Sequence, residues 1–248
     1  MLRNLNRLRS FGVQATDGEI GRVHDVYFDD HSWTIRYFVV KTGSWLHSRK
    51  VLISPSSIDH AQWPDQLLAV KLTREQVASS PDYDSEKPVS RQRELEIVQY
   101  FGWPAYWDAP YAGHVPMGIT PVLGAQAQGV ATESPSKYDP RLRSAHEVGG
   151  YRIHALDGNI GHVEDFLVED SIWVIRYLVA DTRNWRPGKW VLVSPTWVTD
   201  IRWEERRVHM DLAREVIKDA PEYDPSQLVA RQYEEKLFEY YDKAKYWL

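Results

Sequence analysis

Residues 2–107 align without a gap on residues 142–247 at a constant offset of 140, and about a third of the paired positions are identical. A repeat of that length is too long for one turn of a solenoid and matches the size of a small domain. The chain therefore reads as two copies of one domain, residues 1–107 and 142–248, joined by a linker over residues 108–141. Every further reading is constrained by this duplication, because a role inherited with the domain should leave matched residues in both copies.

The composition is 43% hydrophobic and 12% aromatic, enough for two small cores and the opposite of a disordered chain. A formal charge of −5 at pH 7 disfavours a broad nucleic-acid surface. With no cysteine, disulfides, thiolate-ligated zinc and thiol nucleophiles are excluded. The opening MLRNLNRLRS is basic but lacks the apolar stretch of a secretory signal. No run approaches the ~20 apolar residues of a spanning helix. A cytoplasmic protein without a membrane span is expected.

Asp17-Gly18 and Asp157-Gly158 are hairpin dipeptides. Each leads into a strand, from Ile20 to Phe28 in copy one, then a turn and a β-branched, aromatic-rich strand from Trp33 to Val40. Shorter strands follow at 51–54, 58–63 and 67–72. The expected fold class is mainly β: two small antiparallel β-barrels, each followed by C-terminal helices. Trp33, Ile35, Tyr37 and Val39 recur unchanged as Trp173, Ile175, Tyr177 and Val179. Alternation along a strand assigns them to one face, taken as the barrel interior. Thr73-Arg74-Glu75-Gln76 has the form of a capping box. A Pro-acid-Tyr-Asp element, Pro81–Asp84 and Pro221–Asp224, then breaks that helix. A longer helix follows, carrying in copy two the stripe Val229, Tyr233, Leu237 and Tyr241. Each copy ends in Tyr-Trp, expected to dock on a barrel, with each terminal helix crossing onto the opposite copy.

No barrel histidine is matched between copies: His24, His31, His47 and His60 face Glu164, Ser171, Pro187 and Asp200, while His154, His162 and His209 face Gln14, Arg22 and Ala69. His154 and His162 meet across the second hairpin only without a supporting carboxylate pattern. The acid pairs Asp29-Asp30 and Glu169-Asp170 read as solvated turn residues. Asp25 with Arg36, and Asp165 with Arg176, are expected to form ion pairs that fix strand register. Ser54-Pro55 and Ser194-Pro195 lack a nucleophile elbow, and no phosphate-cradling loop is present. No catalytic residue, cofactor site or metal site is therefore assigned. The one candidate surface is the loop after the third strand, with Trp45, Arg49 and Lys50 in copy one and Trp185, Arg186 and Lys189 in copy two. Tryptophan and arginine dominate interface hot spots.

The order Asp17-Gly18-x-Ile20-Gly21-x-Val23-x-Asp25, then Trp33-x-Ile35-Arg36-Tyr37-x-Val39, then Val51-Leu52-Ile53-Ser54-Pro55 resembles the PRC-barrel family. The same motifs return at Asp157 to Asp165, Trp173 to Val179 and Val191 to Pro195. That family includes the cytoplasmic domain of the photosynthetic reaction-centre H subunit and the C-terminal domain of the ribosome maturation factor RimM. The resemblance implies a compact β-barrel used for protein contacts, with no catalytic set. The expected function is thus a non-enzymatic interaction or assembly module, with tandem PRC-barrels forming an intramolecular pseudo-dimer that engages an unknown protein partner. One alternative is a proton- or ligand-handling component of an electron-transfer complex like the reaction centre; a weaker one is an RNA or ribosome maturation factor.

Overall fold

The computed structural model describes residues 1–81, 89, 91–107, 141–183 and 188–247. Copy one runs β1 (Leu2–Asn4), α1 (Leu5–Leu8), β2 (Gly12–Ala15), β3 (Gly18–Asp29), β4 (Ile35–Thr42), β5 (Lys50–Ile53), β6 (Ile58–Gln62), β7 (Leu67–Val70), α2 (Arg74–Ala78) and α3 (Arg91–Phe101). Copy two runs β8 (Leu142–Ser144), α4 (Ala145–Val148), β9 (Arg152–Ala155), β10 (Gly158–Glu169), β11 (Val174–Asp181), β12 (Trp190–Val193), β13 (Val198–Arg202), β14 (Arg207–Met210), α5 (Arg214–Asp219) and α6 (Arg231–Tyr241). The linker and residues 82–84 of the first Pro-acid-Tyr-Asp element lie outside the described residues, residue 141 apart.

The protein is mainly β, with helices after each sheet. Strand order is β5-β4-β3-β2-β7-β6 in copy one and β12-β11-β10-β9-β14-β13 in copy two, the same path twice. Two features depart from antiparallel barrels. The β2–β7 and β9–β14 pairs are parallel, and no pairing between the outer strands closes either ring among the described residues.

Each sheet is completed instead by the other copy. β3 has twelve residues and its hairpin partner β2 only four, so β2 cannot cover the far half of that edge. An unpaired edge is a liability. β8 fills it, pairing Tyr27 with Ser144 and Asp29 with Leu142, and β1 reciprocates on β10, pairing Leu2 with Glu169 and Asn4 with Leu167. At the centre, Ile35 N–H donates to the Trp173 carbonyl and Ile175 N–H to the Trp33 carbonyl, each at 2.8 Å. Both tryptophans are held at positive φ, 55° and 56°, a conformation bulky residues keep only when their surroundings over-determine it. Their surroundings do so: Trp33 stacks on Phe28 at 5.3 Å, Trp173 meets Phe38 edge-on at 5.0 Å, and Phe28 touches Phe166 across the junction at 5.6 Å. One continuous apolar core runs through both copies.

The face shared by Trp33, Ile35, Tyr37 and Val39 is not one face. A bulge at Arg36 shifts the register, so that Ile35 pairs with Phe28 while Tyr37 pairs with Tyr27. Beyond the bulge, Phe38 and Val40 enter the main core, whereas Tyr37 and Val39 pack with Leu52 and Ile97 under α3. An inserted residue swaps the faces, and because both faces are covered, hydrophobicity alone carries no mark of the switch. The terminal helices also stay on their own copy: Tyr100 Oη donates to the Gln76 carbonyl at 2.9 Å and Tyr241 Oη to the Leu192 carbonyl at 3.3 Å. The Tyr-Trp ends fold back with them. The Thr73 capping box forms as read, with Gln76 N–H on Thr73 Oγ1 at 3.2 Å and Thr73 N–H on Gln76 Oε1 at 2.8 Å.

Candidate functional site

Two of the candidate cations, Arg49 and Lys189, are engaged within the fold. Arg49 donates to the carbonyls of Ala78 and Ser80, at 3.2 and 2.6 Å, where α2 ends and leaves its last carbonyls without helical partners. Its counterpart Lys189 does the same beyond α5, reaching the Ala220 carbonyl at 2.6 Å. Trp45 Nε1 donates to the Ile20 carbonyl at 2.8 Å, and the Arg74 guanidinium lies 4.3 Å over its ring. Lys50 opens β5 opposite Lys41. Trp185 and Arg186 lie outside the described residues.

Asp25 and Asp165 do not pair with the arginines of the next strand. Each reaches into the opposite copy. Asp25 accepts from Ser144 Oγ at 2.6 Å and His146 N–H at 3.1 Å; Asp165 accepts from Asn4 Nδ2 at 3.1 Å and Asn6 N–H at 3.0 Å. The bulges at Val23/Asp25 and Val163/Asp165 turn these carboxylates across the junction. Burial raises the Asp165 carboxyl above its ordinary value, against the hydrogen bonds from Phe166, Asn4 and Asn6. The arginines take other acids: Arg176 Nε donates to Glu169 Oε2 at 2.7 Å, while Arg36 Nη2 stands 3.8 Å from Asp29 Oδ2.

The constellation missed by pattern reading is a buried glutamate beneath each terminal helix. Glu234, 3% exposed, accepts from Tyr177 Oη at 2.8 Å and Tyr246 Oη at 2.7 Å through one oxygen, with Arg231 Nη1 3.0 Å from the other. Glu94, fully buried, accepts from Tyr106 Oη at 2.6 Å. Burial and then Glu234 push the Tyr177 hydroxyl well above its ordinary range, and burial with the Glu234 hydrogen bond pushes Tyr246 up to about 12. A glutamate on a helix normally reads as solvated. The signal that distinguishes it is identity at Arg91/Arg231, Glu94/Glu234, Tyr37/Tyr177 and Tyr106/Tyr246.

Beside the Glu94 network lies a cleft of about 210 Å³, where β4, α3 and the segment after it meet the Ile172-Trp173 turn of copy two. Val98, Trp103, Tyr106, Ile172 and Trp173 form apolar walls, and Arg36 is the one charged side chain among its described lining residues. The Arg36 guanidinium stacks 4.1 Å over the Tyr106 ring.

The histidines do not converge. His154 bonds Asn159 Oδ1 through Nδ1 at 2.9 Å and packs on His209 at 4.9 Å, while His162 stands 3.3 Å from Glu164. His162, Glu164 and Asp181 place ligand atoms within 4.8 Å of one another. The Arg183 guanidinium, however, already holds Asp181 Oδ2, with its Nε at 2.8 Å. No described helix is long and apolar enough to cross a membrane.

No curated protein matches the sequence. A family model does: residues 3–63, from the exchanged strand β1 to the end of β6, match the PRC-barrel domain. Residues 3–63 thus form a PRC-barrel domain.

Proposed function

We propose that the protein is a non-enzymatic assembly module in which the second copy is a further PRC-barrel unit and the two act as one rigid intramolecular pseudo-dimer. The observation that carries this reading is the reciprocal use of Asp25 and Asp165, each of which holds the opening of the opposite copy. Two sets of polar groups identical in both copies serve packing: these aspartates join the copies, while Glu234 ties α6 to Tyr177 of β11 and Glu94 ties α3 to Tyr106 of the segment that follows it. Fusion raises the effective concentration of each copy for the other, which fits a scaffold that presents a fixed surface to a protein partner.

The test is a protease site inserted within residues 108–140, cut after folding. The two pieces should co-elute at the mass of the whole chain at micromolar concentration. Elution as separate halves would remove the basis for the pseudo-dimer.

A further inference from the structure

The two copies differ at the cleft. In copy two, Phe238 stands where copy one has Val98, and its ring packs against Trp197 at 5.6 Å, Tyr246 at 5.9 Å and Trp247 at 5.2 Å, occupying the equivalent space. Copy one is also the more apolar at the rim. Trp103 and the half-exposed Ile172 stand where the corresponding site beside α6 has Lys243 and, from copy one, Ser32. The duplicated frame thus carries a large packed ring at this position in copy two and a smaller side chain in copy one.

The charge within the open cleft is also less well matched. Glu169 reaches Arg176 Nε directly, but its counterpart Asp29 is one methylene shorter. Asp29 Oδ1 is taken by His31 N–H at 3.0 Å, Ser32 N–H at 2.8 Å and Ser32 Oγ at 3.1 Å. Arg36 keeps a bond to Ser32 Oγ at 3.1 Å, and its buried Nε has no hydrogen-bond partner among the described residues. A part-exposed guanidinium whose nearest carboxylate, Asp29, stands 3.8 Å away, with tyrosine stacked on its face and apolar walls around it, is complementary to a carboxylate borne on a flat apolar group.

We propose that this cleft binds a small aryl carboxylate, its carboxylate on the Arg36 guanidinium and its ring between Val98, Trp103 and Trp173. The volume admits one or two fused rings. This proposal rests on the pseudo-dimer of the assembly reading, because Ile172 and Trp173 of copy two line the cleft, but not on a protein partner.

The test is calorimetric titration of the full-length protein with indole-3-carboxylate and, separately, with the neutral indole-3-carboxamide. The acid should bind with a Kd of about 1 mM or tighter and the amide at least tenfold more weakly. Val98→Phe installs the residue copy two already accommodates at this position, so it should keep the thermal midpoint while weakening the acid at least tenfold. Arg36→Met should erase the preference for acid over amide. Absence of binding, equal binding of acid and amide, or unchanged binding in a folded Val98→Phe variant would each overturn the proposal. So would binding of a peptide ending in a free aromatic carboxylate where the small acid fails, because the site would then belong to a protein terminus.

Discussion

Replacing Asp165 by alanine tests the exchange between copies at its most economical point. The carboxylate is 8% exposed and accepts from Phe166 N–H at 2.7 Å, Asn6 N–H at 3.0 Å and Asn4 Nδ2 at 3.1 Å. The Asn4 amide can turn toward water, but the two backbone donors lose their acceptor, at about 1–3 kcal/mol each. Removing a buried charge returns part of that, leaving a net loss of about 2–4 kcal/mol. Asp165→Asn retains an acceptor oxygen and should cost about 1 kcal/mol. Because burial raises this carboxyl in the folded protein, its linkage contribution is complete below the unfolded value of about 4 and fades as pH rises through the folded value. Asp165→Asn should flatten that part of the pH profile. The assay is guanidinium unfolding followed by tryptophan fluorescence and circular dichroism. With one core through both copies, both probes should report a single transition moved to lower denaturant. A loss under about 0.5 kcal/mol, or a second transition with one copy left at its original midpoint, would refute the claim that the carboxylate joins the two halves.

Gly161 sits at φ 67°, and a Cβ there would lie 1.8 Å from the Asp181 carbonyl oxygen. Gly161→Ala should therefore cost about 3 kcal/mol or more, read as a fall in thermal midpoint; a neutral substitution would show that the backbones do not approach so closely. Glu234→Leu should cost about 2–4 kcal/mol by leaving two tyrosine hydroxyls and Arg231 without their acceptor, and Glu234→Gln less; equal losses in equilibrium unfolding would argue against hydrogen bonding as the cause. Tyr177, Tyr233, Tyr241 and Tyr246 all have hydroxyls raised by burial. Their contribution is complete below the unfolded value of about 10, and above it stability should fall by about 1.4 kcal/mol per pH unit for each tyrosine still protonated in the fold. Alkaline unfolding with tyrosinate absorbance rising in the same step is expected; tyrosines that titrate at an ordinary pH in the folded protein would contradict it. Trp33→Ala and Trp173→Ala should each cost about 3–5 kcal/mol in the same unfolding assay, and losses near zero in both would show that the positive-φ turns are held by backbone alone.

The repeated strand order, the Asp-Gly hairpins, the capping box at Thr73 and the PRC-barrel domain of residues 3–63 were legible because each is encoded locally or by simple comparison of the copies. Asp17 and Asp157 show how much lies beyond that level. Both read as turn residues, yet each also accepts from the first N–H of a distant helix, Arg74 and Arg214, at 2.8 Å. The buried Glu94 and Glu234 escaped because a charged residue on a helix is assigned to solvent unless its partners are known. The strand face was misassigned at Arg36 because a bulge leaves no trace in a segment apolar on both sides.

The sequence by itself determined that one strand-rich unit occurs twice, with a helix after each, since periodicity, turn dipeptides and self-alignment act over short range or need no coordinates. Tertiary structure alone decided that β1 and β8 change places, that Asp25 and Asp165 face across the junction, and that a cleft lies beside Val98 while Phe238 packs on Trp197 and Trp247 in copy two. These outcomes depend on which strand edge remains uncovered and which side chains meet across more than a hundred residues. That information resides in the packing of the whole chain, where small differences such as Asp29 against Glu169 acquire their effect.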